Sequence, residues 1–184
     1  MAAQNISEHI HGAVHLALRR PRAAQAFANT PESVWYSFAA AFIALPLFLA
    51  TLVFRYGDEF SLMRAVADLG PYAVGWLLFP VVMLRVAPAM QRGQYYCRYI
   101  SAVNWCALVE FGVMTLFVML EGAGLVPEGI ARLLFFAVIL WVLTYQYFVA
   151  RTLLEVEGAQ AAMIVGLRMV LDIAVVAVSE ILRA

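Results

Sequence analysis

The run ARLLFFAVILWVLTYQYFVA, residues 131–150, decides the fold. Its one charge, Arg132, stands next to its start, and a helix of this length crosses the roughly 30 Å hydrocarbon core of a bilayer. Four stretches of the same character flank it, at residues 34–54, 72–86 and 99–120 on one side and 161–182 on the other. The expected fold is all-α: a polytopic membrane protein of five transmembrane helices. The second stretch is the shortest and holds Pro80, so it is expected to be tilted, broken or extended through Pro88.

Composition agrees with this. Hydrophobic residues make up 65% of the 184, against roughly 45–50% in soluble domains, and the mean hydropathy is +0.85. All 12 basic residues are arginine, which together with abundant alanine suggests a GC-rich bacterial coding sequence. The net charge is zero, so the placement of charge is more informative than its sum. Cys97 and Cys106 are read as small apolar fillers, since nine residues of separation fit neither a disulfide framework nor a zinc ribbon.

Residues 1–33 read as a cytoplasmic arm and residues 34–184 as the bundle. In the arm, Ile6, Ile10, Ala13, Val14 and Ala17 fall on one side of a helix, and Glu8, His11, His15, Arg19 and Arg22 on the other. Such a helix suits the boundary between acyl chains and anionic headgroups, with Arg19, Arg20 and Arg22 facing the phosphates. The arginines come too late for a signal peptide. Pro21 should end the helix. Thr30 is a candidate N-cap with Pro31 at the first helical position.

Within the first span Pro46 should bend the helix. The linker after it is expected to carry a short helix capped by Ser61 and stopped by Gly70-Pro71, with Phe60, Met63 and Val66 turned to the membrane. Tyr95, Tyr96 and Tyr99, with Arg92 and Arg98, resemble a belt at headgroup level. Small residues at four-residue spacing, Ala40 and Ala44 in the first span and Gly158, Ala162 and Gly166 entering the fifth, should pack within the monomer. Arginines at 19, 20, 22, 92, 98 and 151 outnumber those at 55, 64, 132 and 183. This bias places the amino terminus in the cytoplasm and the carboxyl terminus outside, in a bacterial inner membrane.

Charges inside spans are costly and mark candidate sites. Arg85 lies late in the second span, Glu110 near the middle of the third, and Arg168 and Asp172 four residues apart in the fifth. The last two can pair on one helix face. Glu110 lacks a partner on its own helix, so it is either protonated or paired with Arg85 or Arg168 from another helix. Asn104, two turns earlier, can line the same polar track. His11 and His15 have the spacing of a helical metal pair, yet with no third ligand they serve equally as polar-face residues or as a pH-responsive cationic face.

No P-loop, dinucleotide fingerprint, nucleophile elbow, zincin motif or haem attachment site is present. Neither catalysis nor a cofactor is expected, and nucleic acid has no soluble basic surface to bind. The run Asp68-Leu69-Gly70-Pro71-Tyr72 is similar to the Asp-Leu-Tyr-Gly-Pro signature of the Yip-domain proteins. Those are five-span membrane proteins with a cytoplasmic arm, linked to vesicle trafficking in eukaryotes. Here the tyrosine is displaced and the run precedes the second span rather than the first. The expected function is a membrane scaffold or accessory protein that binds a protein partner, lipid or its own copies. The alternative is a small transporter or channel subunit whose polar path is lined by Glu110, Arg168 and Asp172.

Overall fold

The computed structural model describes residues 5–181. The first four residues of the arm lie outside the described residues, as do Leu182 at the end of the expected fifth span and Arg183. The described residues form seven α-helices and no strand: α1 Ile6–Ala17, α2 Pro31–Ser37, α3 Ala39–Tyr56, α4 Leu62–Ala89, α5 Tyr96–Gly122, α6 Glu128–Leu153 and α7 Gly158–Ile181. Five helical segments are long and apolar enough to cross a membrane: Pro31–Glu59, which joins α2 to α3, then α4, Gly93–Gly122 containing α5, α6 and α7. Their outward surfaces carry large apolar side chains such as Phe42, Leu133 and Phe136, each more than two-thirds exposed, as a lipid-facing surface requires. The chain is thus an all-α protein of the polytopic membrane class.

The helix α5 is the hub, packing against α1, α2, α3 and α6. Residues 99–108 form an unbroken buried run on it, and a helix buried on every side belongs at the centre of a bundle. The fully buried Ala40 and Ala44 of α3 lie in its broadest helix contact, the one with α5, where small side chains let backbones approach. The other small-residue stripe behaves differently. A Cβ at Gly158 would sit 2.9 Å from the Tyr147 hydroxyl, so that position is closely packed within the monomer, but Ala162 is exposed and a Cβ added at Gly166 would meet nothing within 4 Å; this part of α7 packs through Ala161 and Ile164 instead.

The helix α3 carries Pro46 inside it, and the first span is interrupted at Phe38, between α2 and α3. There Ser37 Oγ turns back to donate to the Val34 carbonyl at 2.7 Å and accepts from Asn104 Nδ2 at 2.9 Å, a local bond that competes with the helical ladder. Thr30 caps α2 as expected, its side chain accepting from the Ser33 amide, with Pro31 at the start. Ser61 also caps a helix, accepting from the Arg64 amide. That helix does not stop at Gly70-Pro71, however: α4 continues through Pro71, Pro80 and Pro88 for 28 residues. Its length of about 42 Å exceeds the bilayer core. In a medium without water, ending a helix exposes more backbone than carrying a proline through it, so the second span takes the extended form. The run Asp68–Tyr72 accordingly lies inside a helix, with buried Asp68 accepting from the Tyr56 hydroxyl at 2.9 Å.

The arm is docked on the bundle. Asn5 caps α1, its side chain accepting from the Ser7 amide, and the buried face is His9, Gly12, Ala13 and Leu16. A Cβ at Gly12 would sit 2.7 Å from Ala26 Cβ, so the short 3₁₀ turn Pro21–Ala26 folds back against α1 through the one position without a side chain. Three faces result. The inner face meets α5, Ile6, Val14 and Leu18 remain exposed beside it, and Glu8 and His11 are exposed on the polar side. Of the apolar residues expected on one face, Ala13 is therefore in the core while Ile6 and Val14 are outside.

Candidate functional site

Four side chains from three helices meet inside the bundle. Arg168 Nη2 of α7 donates to Glu110 Oε2 of α5 at 3.4 Å, and Gln146 Nε2 of α6 donates to the same oxygen at 3.1 Å. Arg168 Nε lies 3.9 Å from Asp172 Oδ2 one turn further along α7. The guanidinium also sits over the Phe79 ring of α4, 5.5 Å from its centroid. Glu110 and Arg168 are 12% and 16% exposed, whereas Asp172 is 57% exposed.

These groups line a cavity of about 420 Å³ bounded by α3, α4, α5, α6 and α7. The cavity exists because α4 rests mainly on α7 and touches α3 and α5 only sparsely. One wall is aromatic. Phe48 and Tyr72 lie 4.5 Å apart between centroids, Tyr72 and Phe111 6.0 Å, and Trp76 and Phe111 6.0 Å with nearly parallel rings. Gly75, in the middle of α4, also lines the cavity, and nothing lies within 4 Å of where its Cβ would be.

Of the expected intramembrane residues, the structure brings Glu110, Arg168 and Asp172 together and places Asn104 in the lining of the same cavity. Arg85 is exposed on α4 and, among the described residues, takes no part in a hydrogen bond or ion pair. Glu110 therefore has Arg168 as its basic partner. Gln146 and the aromatic wall are additional. An amide within a span is a visible signal, but a search for ionisable groups passes over it.

The arm arginines divide. Arg19 is committed inward, its Nη1 and Nη2 donating to the Thr144 carbonyl and Thr144 Oγ1 of α6 at 2.5 and 2.7 Å, while Arg20 and Arg22 are exposed. Arg19 adopts a left-handed φ of 60° just after the C-cap Leu18 of α1, where its amide and that of Arg20 donate back to the Leu16 and His15 carbonyls at 2.9 and 3.0 Å, the left-handed ending common to helices. The expected tyrosine belt is also turned inward. Tyr99 is buried, Tyr96 donates to the Pro80 carbonyl at 3.1 Å, and Arg98 donates to the Leu153 carbonyl and to Glu155 at 2.9 and 3.2 Å. Of these acceptors the Leu153 carbonyl ends α6 and the Pro80 carbonyl lies inside α4, so Tyr96, Arg98 and Tyr99 are engaged by neighbouring helices rather than left for headgroups.

The three histidines separate as well. His9 is buried and stacked on Trp105, 5.4 Å between centroids, while His11 and His15 approach each other with their Nε2 atoms 2.8 Å apart. Among the described residues no group of three or more metal-ligating side chains converges. Partial burial, then the His11 ring, then the Arg20 guanidinium hold the His15 imidazole below its ordinary 6.5. The neighbours His11 and Arg20 belong to the arm itself, so the folded arm favours neutral His15. Its contribution to the folding of the arm is complete above about pH 6.5 and is lost as the pH falls through the lowered value. Limited proteolysis of the 18–29 segment should accelerate on acidification below that point, and His15→Gln should flatten the profile; an unchanged profile in the variant would assign the effect elsewhere.

The fold and cavity define a five-span membrane protein with a charged, aromatic-walled chamber inside the bundle. Comparison of the chain with protein-family models, with curated proteins and with solved structures gives no match.

Proposed function

We propose that the chain is a non-catalytic membrane protein that binds a small amphiphilic ligand within its bundle, as a transporter or a ligand-binding subunit does. The observation that carries this is the convergence of Glu110, Arg168 and Asp172 on one apolar chamber of about 420 Å³, a volume within the range of small-molecule sites. Charges used only to clamp helices need no chamber beside them. The lining is mostly apolar but includes six charged side chains, Arg55, Asp68, Glu110, Arg168, Asp172 and Glu180, a mixture that suits an amphiphile. The proposed location is a bacterial inner membrane with the arm in the cytoplasm, supported by the arginine excess on the arm side.

The arm favours a second role beside the first, as an accessory element at the membrane surface. Its exposed stripe of Ile6, Val14 and Leu18 adjoins the face docked on α5, and its polar side carries Glu8, His11 and the exposed Arg20. A helix placed this way rests sideways on the bundle with its apolar stripe toward acyl chains and Arg20 and Arg22 toward anionic headgroups.

Extraction into polymer discs followed by native mass determination separates the two. A small apolar molecule retained by the wild type and lost from Gly75→Leu is the expected result. Leucine there fills the chamber and improves helix propensity by about 0.8–1 kcal/mol over glycine, so the loss would not reflect unfolding. A stoichiometric foreign protein with no retained small molecule in either form would replace the ligand-binding function with the accessory one.

A further inference from the structure

We infer that the ligand of this chamber is a lipophilic organic cation, an onium head on an apolar body, held between Asp172 and the aromatic wall; this rests on the ligand-binding function proposed above. The first support is the balance of charge among the three groups that meet there. One guanidinium stands between two carboxylates, and they share it unequally. Glu110 is the closer, at 3.4 Å, and has Gln146 as a second donor. Asp172 is left with a single contact at 3.9 Å and more than half its side chain exposed, while lining the chamber. At the depth of a membrane span an under-paired carboxylate is costly, and an occupant of opposite charge offsets that cost.

The second support is the wall. Aromatic faces attract cations through the ring quadrupole, most strongly where water is excluded. Phe79 already holds the Arg168 guanidinium this way at 5.5 Å, and Tyr72, Trp76 and Phe111 continue the same surface. A simple anion would face four carboxylates in the lining, Asp68, Glu110, Asp172 and Glu180, against the two guanidiniums of Arg55 and Arg168, and a neutral hydrocarbon would leave Asp172 unanswered.

Tetraphenylphosphonium and tetraphenylborate have nearly the same size and shape and opposite charge, which isolates the sign of the site. Binding of each to the full chain in nanodiscs of neutral phospholipid is measured by equilibrium dialysis, with empty discs subtracted. The cation should bind at least about tenfold more tightly than the anion, Asp172→Asn should weaken the cation by about tenfold, and Asp172→Glu should retain most of the affinity. Gly75→Leu should abolish binding. Equal affinity for the two ions, preference for the anion, or indifference to Asp172→Asn would overturn the cation assignment. In those cases loss of binding in Gly75→Leu would leave ligand binding in the chamber standing. Binding of neither ion, or binding unaffected by Gly75→Leu, would overturn both. The ratio of cation to anion on the unaltered chain decides the sign even if an Asp172 variant does not fold.

Discussion

Glu110→Ala will destabilise the bundle by about 3–5 kcal/mol, the cost of removing one partner from a buried ion pair. The substitution strands Arg168, which is only 16% exposed, with Asp172 at 3.9 Å as its remaining counter-charge and with Gln146 deprived of its acceptor. Charged residues at the centre of a span cost about 2.5–3.5 kcal/mol to insert even when free to relax, so the two estimates agree in size. The penalty belongs to the orphaned guanidinium rather than to a lost attraction. Removing the charges together should therefore recover most of it: Glu110→Ala combined with Arg168→Met and Asp172→Asn replaces the pair by apolar volume without leaving Asp172 as an unpaired charge, and is expected to lie within about 1–2 kcal/mol of the wild type. Unfolding in mixed micelles, followed by loss of helix signal, measures both variants. A cost below about 1 kcal/mol for the single variant would mean that Glu110 and Arg168 are already solvated by water in the chamber.

The five spans were legible because a stretch such as residues 131–150 has no other stable disposition, whatever its neighbours are. Partners between helices were legible only as alternatives. Arg85 and Arg168 offered the same charge to Glu110, and what separates them is that Arg168 faces the bundle while Arg85 is exposed, a property of helix rotation that a weak hydrophobic pattern does not encode. Gly70-Pro71 was misleading for a different reason. In water that pair ends a helix, whereas within a span the surroundings supply no alternative partners for the backbone, and α4 passes through it. The arm differs for a third reason. Its periodicity defines two faces, but a helix touching both a bundle and a surface needs three, and His9, a polar residue by type, occupies the buried one. Composition points Tyr96 and Arg98 toward headgroups, although both are taken up by backbone carbonyls of neighbouring helices.

The join between arm and bundle is where the second large effect is expected. Trp105 of α5 is fully buried, with His9 of α1 stacked on it at 5.4 Å and Tyr36 of α2 at 6.2 Å. Trp105→Ala should cost about 3–5 kcal/mol, the range for deleting a buried aromatic side chain, and part of the cost should appear as release of the arm, because His9 loses the surface it covers. Other ties of the arm are the Tyr145 hydroxyl on the Ala13 carbonyl at 2.7 Å and Arg19 on Thr144, both on α6, and Asn29, which donates to the Gln94 carbonyl and accepts from the Arg98 amide. They hold the carboxyl end of α1 and the segment after it, whereas outside the arm His9 keeps only the Tyr36 ring of α2 at 5.6 Å, so release should begin at the amino-terminal turns of α1. Trp105→Phe should be much milder. Phenylalanine keeps most of the stacking area and removes an indole Nε1 that has no hydrogen-bond partner, and deleting an unsatisfied buried donor offsets part of the lost volume. Hydrogen exchange resolved along residues 5–17, together with the thermal midpoint, distinguishes the cases. Fast exchange in α1 confined to the alanine variant places the anchor at Trp105. Equal protection in both variants would show that contacts other than the His9–Trp105 stack, those of Tyr36, Tyr145, Arg19 and Asn29, keep the arm docked.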